Sequence, residues 1–347
     1  MVENVGFAPS YDEMMRYKDS PQFDPKLIKF KNKLPDLFER MRIRNLDWNV
    51  ITEWFVGFEQ ETPPSQLPEV KTNLADFCEL QDQVASIWLG HSTILMNFYG
   101  KIVLFDPIFS DAASPIKIMV RRFQKPVFDI KDIPKIDFVL ISHDHYDHLD
   151  MESIKALKNK TKHFIVPLGV SYYLKYWGVS SQKITELDWW QGTEIEDVKF
   201  IATPAQHFSG RSGFWNNVTL WSSWIVQNSQ KNIYFSGDSG YGKHFKQIGD
   251  KYGPFDLAFI ENGQYNVKWR EVHLLPDESV QAFEDLRAKI YFPIHWGMFD
   301  LSLHPWDEPI RYIFKLSQKH QFQLVAPKLG ETYHLDDSYT QEKWWRL

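Results

Sequence analysis

Within six positions, HDHYDH, the chain places four side chains of metal-binding type: His143, His145, Asp147 and His148. They stand directly behind the apolar run IDFVLIS, which reads as a buried β-strand. Imidazoles and carboxylates are costly to bury without partners. A fold that ends a core strand on this hexapeptide must therefore expose it as a polar turn or place a cation beside it. Three further residues of the same kind follow other apolar runs: His207 after FIATPAQ, Asp238 after NIYFSG, and His295 after IYFPI. All seven sit where a predicted strand opens into a loop. A polar turn explains one such residue; seven in the same setting predict a metal centre on one shared sheet edge.

The spacing adds detail. In extended chain, side chains at i and i+2 point the same way, so His143 and His145 can grip one ion together. Asp147 and His148, past a bend, can reach a neighbouring position. Five imidazoles and two carboxylates, without thiolates, suit zinc. Seven ligands are too many for one tetrahedral ion. Divided between two, with Asp238 bridging, they leave each ion about four protein ligands and room for water, as a catalytic centre requires. The lone cysteine, Cys78, excludes both an intramolecular disulfide and a thiolate cluster.

Two regions differ in texture. Residues 1–84 read as an N-terminal extension packed on the core, with the proline-bearing stretches PQFDPKL and ETPPSQLPEV. There Ile51, Trp54, Phe55 and Phe58 recur at i, i+3, i+4 and i+7, one face of a helix. Residues 85–347 read as one domain. VASIWLG, TILMNFY and KIVLFD form a strand meander, IDFVLIS follows, and Asp150 can cap a helix over MESIKALKN. HFIVP, ITELD, DVKFIATP, LWSSWIVQ and NIYFSGD continue as strands. The strands DLAFIE, KIYFPIHW and FQLVAP then alternate with helices near GKHFKQIGDK, PDESVQAFEDLRA and EPIRYIFKLSQKH. This order predicts an α/β (α+β) fold with two sheets face to face and helices outside.

The net charge of -6 argues against non-specific nucleic-acid binding, so no nucleic-acid partner is expected. No apolar stretch approaches the ~20 residues of a membrane span, and the first residues carry no signal-peptide pattern. A cytoplasmic location is expected, with peripheral membrane contact and a homodimer left open. PIKIMVRRFQKP places Lys117, Arg121 and Lys125 four apart, one face if helical, with Arg122 beside them. That face is either solvated or a dock for anionic headgroups.

HDHYDH resembles the His-x-His-x-Asp-His signature of the metallo-β-lactamase superfamily. WLGHST, FDPIFS, VPLG, ELDWW, TPAQH, SGDSGY, IGDKYGPFDLAFI and IHWGMF further resemble, in order, the N-acylphosphatidylethanolamine-hydrolysing phospholipase D group, over about residues 85–335. The resemblance implies an αββα four-layer sandwich with a dinuclear centre at one edge. It implies His143, His145 and His207 on one zinc ion, Asp147, His148 and His295 on the other, and Asp238 between them. Asp106 would brace a ligand loop, His91 would stand behind the ligands or in the core, and His273 would face the substrate phosphate. The expected reaction is hydrolysis of an N-acylphosphatidylethanolamine-like or related phosphodiester by hydroxide held between two zinc ions. Asp147 would accept the water's proton, and His273 would hold the phosphate or protonate the leaving oxygen. The alternative on the same centre is opening of a lactone or cyclic ester of a small metabolite, phosphorylated or not. A nuclease is disfavoured by charge, a di-iron redox protein by His145 where such relatives carry glutamate, and a degenerate binding module by the presence of all seven ligand types. The run ENGQYN departs from the group, and Glu261, Asn262 and Gln264 are expected to make the pocket more polar. His163, His244, His304, His320 and His334 are expected to be surface or packing residues.

Overall fold

The computed structural model describes residues 9–45, 61–116, 119–211 and 217–346; the helix expected around Ile51, Trp54, Phe55 and Phe58 lies outside the described residues. The chain opens with α1 (Tyr11–Met15), β1 (Phe23–Asp24), β2 (Lys29–Phe30), α2 (Leu37–Asn45) and α3 (Leu74–Cys78). Then follow β3 (Val84–Trp88), β4 (Ile94–Phe98), β5 (Lys101–Phe105), β6 (Ile136–Leu140), α4 (Met151–Leu157), β7 (Thr161–Pro167), α5 (Ser171–Tyr176) and β8 (Ile184–Leu187). The second half holds β9 (Gly192–Ile195), β10 (Val198–Thr203), β11 (Ser223–Gln227), β12 (Asn232–Phe235), α6 (His244–Tyr252), β13 (Leu257–Glu261) and α7 (Pro276–Leu286). It closes with β14 (Ile290–Ile294), α8 (Glu308–His320), β15 (Gln323–Leu324) and β16 (Thr332–His334).

Two seven-stranded sheets result, in the orders β16-β3-β4-β5-β6-β7-β8 and β15-β14-β13-β12-β11-β10-β9. Each is antiparallel in one half, in β3-β4-β5 and β9-β10-β11-β12; short turns join these strands except β10 and β11, between which residues 204–222 run. Each turns parallel beyond, from β5 to β8 and from β12 to β15, where longer connections, most of them carrying a helix, make the crossovers. The period of two assigns the faces. In β5, Val103 and Phe105 join the core between the sheets, whereas Ile102 and Leu104 join the cluster with Ile154, Leu157 and Leu174 of α4 and α5. Phe105 stacks on Phe235 at 4.6 Å and Phe138 meets Phe200 at 4.7 Å, so the two sheets lie face to face. Phe245, Ile248, Phe283 and Ile313 bring α6, α7 and α8 onto the second sheet. The architecture is the expected αββα sandwich. Each such fully buried side chain stabilises it by about 1.5–3 kcal/mol.

The short elements before residue 84 and, beyond it, β9, α5 and β16 escaped the sequence pattern. Strand β9, GTEI, is an edge strand with alternating half-buried and exposed side chains, held by pairing with β10. Helix α5, SYYLKY, is short and lacks a side-chain N-cap. The basic segment is a correction. Among the described residues it is not helical: Arg121 bridges to Ala112, and Arg122 to Phe299. The Arg122 guanidinium donates to the carbonyls of Ile108 at 2.6 Å and Ser110 at 3.1 Å, and lies over the Phe299 ring. Loop carbonyls needing donors thus claim this arginine, and among the described residues no helical face gathers Arg121, Arg122 and Lys125.

The N-terminal residues make their own contacts. Met14, Tyr17, Phe23 and Phe30 bury against Trp189 and Trp221. Tyr17 Oη donates to Glu186 at 2.9 Å and Ser20 Oγ to Asp188 at 2.7 Å.

Candidate metal centre

The structure brings all seven strand-end residues to one edge. His143 Nε2 and His207 Nε2 lie 2.9 and 3.1 Å from His145 Nδ1. Asp238 Oδ2 stands 3.6 Å from the first and 3.7 Å from the second. On its other side the same oxygen is 3.2 Å from both His148 Nε2 and His295 Nε2. Asp147 Oδ2 is 3.4 and 3.3 Å from those two nitrogens. Two nests of ligand atoms therefore share one carboxylate oxygen.

The far side of most rings is already occupied. His207 Nδ1 donates to the Val272 carbonyl at 3.0 Å, which leaves the Nε2 lone pair facing the nest. His148 Nδ1 is held by Asp106 Oδ2 at 2.8 Å, and His143 Nδ1 by Ser142 Oγ at 2.9 Å. His148 Nε2 and Asp238 Oδ1 are buried without a hydrogen-bond partner. Lone pairs and carboxylates converging in a buried space, with outward nitrogens fixed by acceptors, fit metal ions of the zinc class.

Electrostatics agree. Burial drives His143 and His207 well below the ordinary histidine range. Burial acts likewise on His148 and His295, yet Asp238 and Asp147 draw His148 well above that range, and Asp238 leads in taking His295 to about 10. The paired carboxylates demand positive charge there.

Local sequence supplies the geometry. Asp106 accepts from Ser142 N at 2.7 Å and Ser142 Oγ at 2.6 Å as well as from His148, so FDP pins the loop that carries the hexapeptide. His91 Nε2 meets Asp147 Oδ2 at 2.9 Å. His91, Asp106 and His295 all hold left-handed backbone, with φ of 52, 40 and 65°. For side-chain-bearing residues this conformation costs energy and gathers at functional sites. Gly237, before Asp238, has φ of 56°, and a Cβ there would stand 2.7 Å from Ser142 Cβ.

The cluster floors a cavity of about 280 Å³, with His145, Asp147, Asp238 and His295 below and Met41, Phe208, Trp269, Val272 and Leu301 as apolar walls. His273 lines it too, its ring stacked on His295 at 5.1 Å. The expected polar rim is a correction: Glu261 and Asn262 are fully buried outside the lining. Gln264 lines the cavity, but its amide is committed to Phe299 O and Leu301 N, each at 3.0 Å. Sequence reading missed the walls, although Phe208 directly follows a ligand and Trp269 lies four residues before His273. Of the five remaining histidines none joins the nests; His244 and His304 are buried.

Residues 101–296 match the β-lactamase superfamily domain. An N-acyl-phosphatidylethanolamine-hydrolyzing phospholipase D of Caenorhabditis elegans is 33% identical over 315 residues, 83% of this chain and 88% of that one. A metal-dependent hydrolase of Hyperthermus butylicus is 28% identical over 254 residues, 71% of this chain and 97% of that one. The solved structure of a metallo hydrolase from Ignicoccus hospitalis superposes with a TM-score of 0.56 at 18% identity, covering 74% of this chain and all of that one. The chain belongs to the metallo-β-lactamase superfamily, among the relatives of the N-acyl-phosphatidylethanolamine-hydrolysing phospholipases D. It is a metal-dependent hydrolase.

Proposed function

We propose that the chain is a zinc-dependent phosphodiesterase of phospholipase D type, acting on N-acylphosphatidylethanolamine-like or related phosphodiesters. One observation carries the reading: the pocket joins a floor of ligand atoms and a histidine, His273, to apolar walls. His143, His145 and His207 would hold one ion, Asp147, His148 and His295 the other, with Asp238 common to both. When bound, the ions supply Lewis-acid polarisation of the phosphoryl group and of the attacking water. Asp147 accepts that water's proton as the new P–O bond forms. His273 holds a phosphoryl oxygen, or gives a proton to the alcohol oxygen as its bond to phosphorus breaks. The walls take the apolar part of the substrate and keep bulk water from the floor. Among the described residues no helix is long and apolar enough to cross a membrane. In this reading a cytoplasmic protein would meet lipid by peripheral contact.

The test is a paired assay of zinc-loaded protein on N-acylphosphatidylethanolamine, a simple phosphodiester and a lactone, with metal analysis of protein purified without added metal. Release of phosphatidic acid and the N-acyl alcohol, with two zinc ions per chain, is expected. Lactone opening with every phosphodiester left intact would overturn the reading, and bound iron would overturn zinc.

A further inference from the structure

Glu261 ends β13 behind the pocket wall, and both of its oxygens are engaged. Oε1 accepts from the backbone N–H of Ser239 at 3.0 Å and of Leu274 at 2.9 Å. Oε2 lies 2.8 Å from His273 Nδ1 and 3.5 Å from His295 Nδ1. One carboxylate thus ties together the residue after Asp238, the residue after His273, and two imidazole rings.

We propose that Glu261 is a positioning residue for His273, holding that ring's proton on Nδ1 so that any proton His273 gives or takes moves at Nε2. The inference rests on the reading above, in which His273 meets the substrate. A carboxylate at hydrogen-bond distance accepts, so the ring nitrogen facing it is the protonated one. The orientation is fixed from the sides as well: His273 is stacked on His295 at an interplanar angle of 14° and meets the His207 ring at 63°. With Nδ1 committed, the neutral ring is the tautomer whose free nitrogen is Nε2, on the side away from Glu261. This is the logic by which a buried acid sets the working nitrogen of a histidine base or acid. In the leaving-group step the ring begins as the imidazolium, protonated on both nitrogens, and its Nε2–H bond breaks as the O–H bond of the departing alcohol forms. The Nδ1 proton stays on the ring, donated to Glu261, and Nε2 regains a proton from solvent.

Glu261→Gln is the informative change. Two backbone N–H donors fix the amide oxygen in the place of Oε1, so the NH₂ group must face His273 Nδ1. The neutral ring would then shift its proton to Nε2. Histidine-¹⁵N spectra are expected to show a protonated, hydrogen-bonded Nδ1 on His273 in the native protein and an Nε2 proton in the variant. Turnover of the best substrate should fall about ten- to a hundredfold at unchanged metal content, kcat more than KM. In a His273→Ala background the same change should cost nothing further, because its effect passes through the missing ring. An equal loss in both backgrounds, or a native His273 with a bare Nδ1, would overturn the assignment. The native spectrum needs neither a substrate nor a folded variant. If no phosphodiester is cleaved, the proposed function fails while the spectrum still decides the role of Glu261.

Discussion

The floor and the walls of the pocket are built in opposite ways. The floor residues follow strand ends, and several have a ring or carboxylate held by a partner fixed in the fold: Asp106 behind His148, the Val272 carbonyl behind His207, His91 beside Asp147. The walls come from four separate places: Met41 of α2, Phe208 after β10, Trp269 and Val272 between β13 and α7, and Leu301 after β14. Those residues share only apolar character. A floor of this kind depends on placement to a fraction of an ångström, whereas a wall depends on volume and tolerates exchange. Substitutions should therefore split into those that destroy chemistry and those that shift substrate preference.

The largest effect is expected at the shared oxygen. Asp238→Asn halves the charge available to the second nest and leaves at most a neutral amide oxygen at the position common to both. Hydrolysis should fall on the order of 10³-fold, with metal lost from the purified protein in elemental analysis. A variant within tenfold of native turnover and fully metal-loaded would mean that the two nests are not one centre.

One step out, Asp106→Asn replaces an acceptor by an amide facing three donors, Ser142 N, Ser142 Oγ and His148 Nδ1. A loss of about ten- to a hundredfold in metal affinity or activity is expected, measured by chelator competition alongside kcat. If Asp106→Asn matched native affinity, the floor would be less dependent on its supports than the comparison holds.

The same contrast explains what the sequence discloses. Strand ends are legible because apolar runs stop abruptly and metal-binding side chains follow, and the period of two along extended chain is enough to tie His143 to His145. The sandwich is legible for the same reason. Glu261 was misjudged: its place in the chain is obvious, but whether a strand-end side chain faces the cavity or the layer behind it depends on the His273 loop, brought there by tertiary packing. The walls are invisible, because Met41 and Leu301 carry no signal beyond being apolar and are 260 residues apart in number. Edge strand β9 escapes because its pairing with β10, not its own pattern, makes it a strand.

The walls should respond differently. Met41→Ala enlarges the cavity without replacing a ligand or any partner named above for one. KM for a long-chain substrate should rise about three- to tenfold with kcat nearly unchanged, and the change should shrink as the acyl chain is shortened. A matching fall in kcat would place α2 among the parts that hold the floor and break the distinction.

The smallest effect concerns the acids of the two regions. On the floor, burial alone would raise Asp147, yet His148 and the neighbouring rings hold it well below the usual carboxylate range. Asp300, next to the wall residue Leu301, has the opposite company: partial burial first, then the carboxylate of Glu61, pushes it up to about 6. The folded state therefore holds this proton more tightly than the unfolded chain between about pH 4 and 6, so stability falls as pH rises through that window. Below it both states are protonated and nothing is lost; above it the whole penalty applies. Because Asp300 is partly exposed, solvent screening reduces that penalty to about 1 kcal/mol. Asp300→Asn should raise the Tm of metal-free protein by about 1–2 °C at pH 7.5. The gain should dwindle as the buffer is taken towards pH 4. A gain of the same size across the whole range would show that the benefit is not electrostatic, and that the wall region carries no strained acid to set against the satisfied ones on the floor.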